Sequence, residues 1–146
     1  MSLAFPQEVF LSHSSQDGPF ASNVAAVMRR HGIPVWYSQT NILGAQQWQA
    51  EIGSALQRCD WFAVILSPQS VQSMWVKREL SYALQEPRFD NKIVPIVYQP
   101  SDVQELSWVL STFQMVDFTL PFDEASRNLL RIWGIGYQPL PGVGEA

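Results

Sequence analysis

Glu79 stands one helical turn after Trp75 in the run Ser73-Met74-Trp75-Val76-Lys77-Arg78-Glu79-Leu80. Residues four apart share one side of an α-helix, so a carboxylate and an indole lie together there. At about 100° per residue, Val76, Leu80, Ala83 and Leu84 form an apolar stripe that a core would take. Trp75, Glu79 and Tyr82 fall in a second stripe, about 110° away on the same count. The core stripe accounts for Leu80 but not for a carboxylate flanked by two aromatic rings. Such a group suits a ligand with a flat ring to stack and a sugar hydroxyl or developing cation to hold. The competing reading is a solvated Glu beside a half-buried Trp. Off the core stripe, substitution at Glu79 is expected to change folding by no more than about 0.5 kcal/mol.

The elements upstream bring other polar side chains towards this helix. Trp61-Phe62-Ala63-Val64-Ile65-Leu66 is an uninterrupted apolar run, as expected of a strand buried on both faces of a parallel sheet. It ends at Ser67-Pro68, which predicts a helix start with Ser67 as N-cap and Pro68 in the first helical position. Glu8-Val9-Phe10-Leu11 reads as another buried strand and ends in Ser12-His13-Ser14-Ser15. Asp17-Gly18-Pro19 then starts a helix carrying Phe20, Val24, Val27 and Met28, and Gly32 suits its left-handed cap. Ile33 to Tyr37 is a second strand, and Ser38 to Ala45 a loop. Trp48, Ile52, Ala55, Leu56 and Cys59 recur at helical spacing. Lys92 to Tyr98 and Phe113 to Phe118 are the fourth and fifth strands, and Leu129, Leu130 and Trp133 close a last helix. Residues 134–146, rich in Gly and Pro, read as a tail, which leaves one domain over 1–133.

Five βα units predict an α/β fold: a flavodoxin-like, doubly wound parallel sheet of five strands in the order 2-1-3-4-5. Ligands of such sheets bind beyond the carboxyl ends of the strands, where the order reverses. That crevice would gather His13 and Ser14 from the first strand, Ser67 from the third, and Trp75 and Glu79 from the helix. Each has a plainer reading beside it. His13 is a pocket residue or a loop residue, and Ser67 a ligand contact or a helix cap. Trp36 and Trp48 are core or loop anchors, with Trp48 also a candidate substrate contact. His31 sits in the last turn of its helix, where a cation suits the dipole. Glu86 reads as a solvated helix end, and Asp60 has no evident partner.

Composition excludes several classes of function. The 146 residues suit one domain, and 47% hydrophobic against 15% charged residues rules out disorder. A net charge of -4 without a Lys/Arg cluster argues against a nucleic-acid surface. No apolar run reaches the roughly 20 residues of a membrane span, and no secretory leader is expected. With one cysteine, Cys59, and two histidines, neither a disulfide nor a metal site is expected. A cytoplasmic setting follows as the expectation. The acidic pair of a phosphoreceiver is missing after the first strand. The phosphate loop of a flavodoxin, a Walker loop and a GxGxxG loop are missing too.

Val9 to Asp17, Val35-Trp36-Tyr37, Leu66-Ser67-Pro68 and Ser73 to Leu80 together resemble Toll/interleukin-receptor (TIR) domains of the bacterial branch, over about residues 7 to 133. The resemblance implies cleavage of NAD, with Glu79 at the position of the family's catalytic glutamate and Trp75 at that of its helix tryptophan. It also implies that the loop holding Ser38, Asn41, Leu43 and Gly44 closes over the site and mediates self-association. Ser38 stands where the family usually has an acidic residue, and Leu43 where it has a proline before the loop glycine.

One carboxylate meets the demands of that chemistry. Ordinary glycosidases use a second carboxyl group to protonate a poor leaving oxygen. Nicotinamide already carries positive charge and leaves as a neutral ring, so no general acid is needed. A carboxylate that binds a ribose hydroxyl also stabilises the oxocarbenium-like charge. Water gives linear ADP-ribose; adenosine folded back onto the cation gives a cyclic product. Two functions follow. One is an NAD glycohydrolase or ADP-ribosyl cyclase, with NAD as substrate and no cofactor, making an antiphage-defence signal for a separate effector protein. The other is a TIR docking module or virulence mimic without catalysis.

Overall fold

All six residues of Trp61–Leu66 are buried, and their alternation divides the core in two. Trp61, Ala63 and Ile65 point to one face of the sheet; Phe62, Val64 and Leu66 point to the other. The structure, a computed structural model, describes residues 5–38 and 45–140, with 45–49 as backbone alone. In chain order its elements are β1 (Val9–Ser12), α1 (Gly18–Arg30), β2 (Val35–Tyr37), α2 (Ala45–Arg58), β3 (Trp61–Leu66), α3 (Met74–Gln85), β4 (Ile93–Val97), β5 (Val116–Asp117) and α4 (Phe122–Arg131). The strands form one parallel sheet in the order β2-β1-β3-β4-β5, the doubly wound arrangement expected from the sequence. Helices α1 and α4 cover one face through Val24, Met28, Leu129 and Leu130. Helices α2 and α3 cover the other, where Ile52, Ala55, Val76, Leu80 and Ala83 meet Phe10, Phe62 and Leu66. Trp36 stacks on Phe10 with ring centroids 4.9 Å apart, a core anchor at the edge of the second face.

Local chemistry sets where the elements stop. Gly32 takes φ +86° after α1, the left-handed position that its lack of a Cβ allows. The fifth strand is shorter than the Phe113 to Phe118 expected. Ser111 and Thr112 donate to the Trp108 and Val109 carbonyls (2.8 and 2.6 Å), which prolongs a 3-10 turn to Thr112 and delays pairing until Val116. Ser67-Pro68 starts a single turn rather than α3: the Ser67 hydroxyl accepts from the Ser70 N–H at 3.1 Å, and a separate short turn follows. Helix α3 begins at Met74, capped by the Ser73 hydroxyl accepting from the Val76 N–H at 3.3 Å. Asp60 does have partners. Its carboxylate accepts from the backbone N–H groups of Gln7 (3.0 Å) and Glu8 (3.1 Å), joining the entries to β1 and β3.

His31 ends α1 as a hydrogen-bonded cap. Its Nδ1 lies 2.8 Å from the Val27 carbonyl oxygen, and its Nε2 accepts from the Gln138 N–H at 2.9 Å. Tyr137 stacks on this imidazole at 5.6 Å and donates to Asp123 at 2.8 Å. Residues 137–138 are thereby fastened to the end of α1 and the start of α4. Residues 141–146 lie outside the described part. Among the described residues no helix is long and apolar enough to cross a membrane.

Candidate active site

Alternation along β1 puts Phe10 and Ser12 on one face of the sheet, the face that α3 covers. At the carboxyl end of β1 the Ser12 hydroxyl therefore meets α3, and it donates to Glu79 Oε1 at 2.7 Å. Both groups are out of solvent: Ser12 is 1% and Glu79 6% exposed. Glu79 is thus no solvated helix residue, and the expectation that its substitution barely touches folding is overturned. The angles explain the difference. On the stripe centred near Val76, Leu80 and Ala83, Glu79 lies three residues from Val76 and four from Ala83, within about 60° of both. Trp75 and Tyr82 lie farther round. Trp75 is half-buried, whereas Tyr82 is 37% exposed and takes no part in the buried group.

Burial of this carboxylate has an electrostatic consequence. Loss of hydration penalises the charged form and raises the Glu79 pKa from 4.5 to about 7, although the Ser12 hydroxyl pulls it down. A carboxyl poised near neutrality suits acid–base chemistry, and in its ionised form it can face a developing cation. The Trp75 ring carries the Arg78 guanidinium 5.6 Å from its centroid.

A second buried carboxylate lies at the same edge of the sheet. Asp17, 3% exposed, accepts from the Ser14 hydroxyl at 2.9 Å and the Ser67 hydroxyl at 2.5 Å, both on Oδ2. Ser14 and Ser67 are thus brought together as the sequence suggested, but around Asp17 rather than around Glu79. This cluster ties the loop after β1 to the loop after β3. Beside it is a cleft of about 510 Å³, lined by Ser14, Gln16, Pro68, Gln69, Gln72 and Ser73. Glu79 is not among its lining residues, so the cleft and the Glu79 carboxylate are neighbouring features of one edge. His13 sits between two carbonyl oxygens, with Nδ1 2.6 Å from that of Ser14 and Nε2 3.1 Å from that of Ser38. It links the end of β1 to the residue that opens the next loop. Asn41, Leu43 and Gly44 lie outside the described residues, as does the side chain of Trp48, whose backbone belongs to α2. Among the described residues no group of three or more His, Cys, Asp or Glu side chains could hold a metal ion.

Asp17→Ala is expected to destabilise the protein by about 3 kcal/mol. It strands two buried hydroxyls without their acceptor and opens a small void. Urea unfolding of this variant beside Asp17→Asn, which keeps an acceptor and should lose less, checks it. Equal stability of the alanine variant and the unaltered protein would refute the structural role of the cluster.

The comparisons with known proteins agree with this fold. A family model for the TIR domain matches residues 9–130, and the chain belongs to that family. It is 25% identical over 88 residues to the 2' cyclic ADP-D-ribose synthase BtTIR of Bacteroides thetaiotaomicron, covering 60% of this chain and 31% of that protein. It is 24% identical over 102 residues to the NAD(+) hydrolase TcpC of Escherichia coli O6:H1, covering 68% and 33%. The chain thus spans about a third of the length of these curated relatives. In structure it is similar to the TIR domain of the Toll-related receptor TRR-2 from Hydra magnipapillata. The TM-score is 0.66 at 20% identity, over 84% of this chain and 94% of that one. It is also similar to the TIR domains of the activated Roq1 resistosome, with a TM-score of 0.63 at 16% identity over 86% and 98%.

Proposed function

We propose that this TIR domain cleaves NAD between ribose and nicotinamide, with Glu79 as the carboxylate that faces the developing cation. The observation that carries the reading is the buried Glu79 at the carboxyl end of β1, held by Ser12 at 2.7 Å. The names of the two bacterial relatives support it. As the C1′–N bond breaks, its electron pair leaves with nicotinamide, which departs neutral. Positive charge then spreads over C1′ and the ring oxygen of the ribose. A fixed carboxylate in a dry site stabilises that charge far more than it does the substrate. Water adds hydroxide to C1′ and releases a proton, giving ADP-ribose. Alternatively a nucleophilic atom of the adenosine half closes on C1′ and gives a cyclic ADP-ribose.

The same proposal gives Trp75 the stacking of a substrate ring. It puts His13 and Trp48 on the walls of the site, with Ser14 and Ser67 behind them as the hydroxyls that hold Asp17. Ser38, Asn41, Leu43 and Gly44 form the loop that closes it and meets a second copy of the domain. The product acts in the cytoplasm as a defence signal on a separate effector. A docking module without catalysis is the competing function, and it draws on Met74 and Trp108, 59% and 69% exposed.

The test is incubation with NAD over a wide range of protein concentrations, following free nicotinamide by chromatography. Release should rise with pH, because the ionised carboxylate is the working form. With its pKa near 7, the rate at pH 6 should be about tenfold below the plateau reached above pH 8. Absence of nicotinamide at every concentration and pH would favour the docking function.

A further inference from the structure

We propose that Ser12 is the positioning residue of Glu79: its hydroxyl fixes one carboxylate oxygen and favours the working, ionised form against the cost of burial. This rests on the reading of Glu79 as the group that faces the ribose cation. Three observations carry it. First, among the described residues Ser12 is the only donor to this carboxylate, and it reaches Oε1 alone. Oε2 is thereby left for a ligand, and a ribose hydroxyl is a donor of the right kind. Second, the hydroxyl is carried by a rigid element. Ser12 is the last residue of β1, paired in register with Val64 of β3. Phe10 behind it is stacked between Trp36 (4.9 Å) and Phe62 (5.5 Å). A donor on such a strand end is aimed before any ligand arrives.

Third, the other charged and titratable groups of the elements around Glu79 are turned to solvent, as Tyr82 is, or engaged elsewhere. On α3, Lys77 and Arg78 are exposed, and Arg78 lies over the Trp75 ring. Beyond β1, His13 contacts the Ser14 and Ser38 carbonyls, and Asp17 is occupied by the Ser14 and Ser67 hydroxyls. Among the described residues, burial and the Ser12 hydroxyl are the influences on Glu79 ionisation, and they oppose one another. A hydrogen bond to an ionised acceptor is stronger than one to a neutral acceptor, so the donor favours the carboxylate. A single serine therefore offsets part of the cost of burial, without adding a charge that would repel a cationic substrate centre.

The experiment compares Ser12→Ala with the unaltered protein by carbon NMR of labelled glutamate carboxyl groups, with Glu79→Gln used to assign the Glu79 signal. The Glu79 carboxyl should titrate about one pH unit higher in Ser12→Ala. Nicotinamide release by that variant should fall about fivefold at pH 7 and recover most of the loss by pH 9. A serine that only fills space would instead lower the rate by the same factor at every pH. Should Ser12→Ala not fold, Ser12→Cys fills the same space with a weak donor and serves the same comparison. An unchanged Glu79 titration in a folded variant overturns the proposal. If the unaltered protein releases no nicotinamide, the cleavage reading fails, and the carboxyl titration still decides what Ser12 does.

Discussion

Glu79→Gln is expected to release nicotinamide from NAD about 10²–10³-fold more slowly than the unaltered protein. The amide keeps the size of the carboxyl group and can still accept from Ser12, which donates at 2.7 Å. What it lacks is the negative charge opposite the sugar as the bond to nicotinamide stretches. Because nicotinamide leaves without protonation, the loss falls on stabilisation of the cation alone. The effect should appear in kcat more than in KM, since the charge matters only once positive charge has developed. Wild-type turnover by a folded Glu79→Gln would remove Glu79 from the chemistry.

The same substitution should make the protein more stable at pH 8, by about 3 kcal/mol, and leave it little changed at pH 4. The sign follows from where the proton is held. In the unfolded chain Glu79 loses its proton near the ordinary 4.5; in the folded protein burial keeps it up to about 7. Between those values the native state binds more protons than the unfolded state, so stability falls as pH rises. Above about 7 the native state carries a buried charge and the full cost of it. Glutamine never ionises, so its stability should lack this decline. Urea unfolding of both proteins at pH 4, 6 and 8 measures the difference, and parallel curves would show that Glu79 ionises no harder in the folded state than in water. Loss of activity with gain of stability marks a residue kept for its chemistry.

The sheet was legible because its signals are strong and repeated. The apolar run at Trp61–Leu66, short and bounded by Asp60 and Ser67-Pro68, suits a strand covered on both faces, and short connections between alternating elements leave few topologies open. Glu79 was legible as an oddity on its helix, but its burial was not. Averaging the apolar stripe over Val76, Leu80, Ala83 and Leu84 concealed how close Glu79 lies to the first and third of them. Ser12 was open to discovery from the period of β1, since Phe10 and Ser12 must share a face; its partner, 67 residues along the chain, was not. Asp17 reads in sequence as the punctuation before Gly18-Pro19. Only the fold shows that the chain ends after β1 and β3 both turn their serines on it. The two-residue β5 was hidden by hydroxyls that return to their own backbone, a competition that apolar patterning does not record.

The fastening of Tyr137 and Gln138 lays this segment across the face formed by α1 and α4, since His31 ends α1 and Asp123 opens α4. Helices of a parallel α/β sheet run against their strands, so the end of α1 lies where β2 begins. Glu79 meets Ser12 at the other rim, where β1 finishes. A handle joined directly to residue 140 therefore starts on the face that α1 and α4 cover, with the sheet between it and α3. A support that holds the protein by such a handle faces α1 and α4 and leaves the α3 side turned outward.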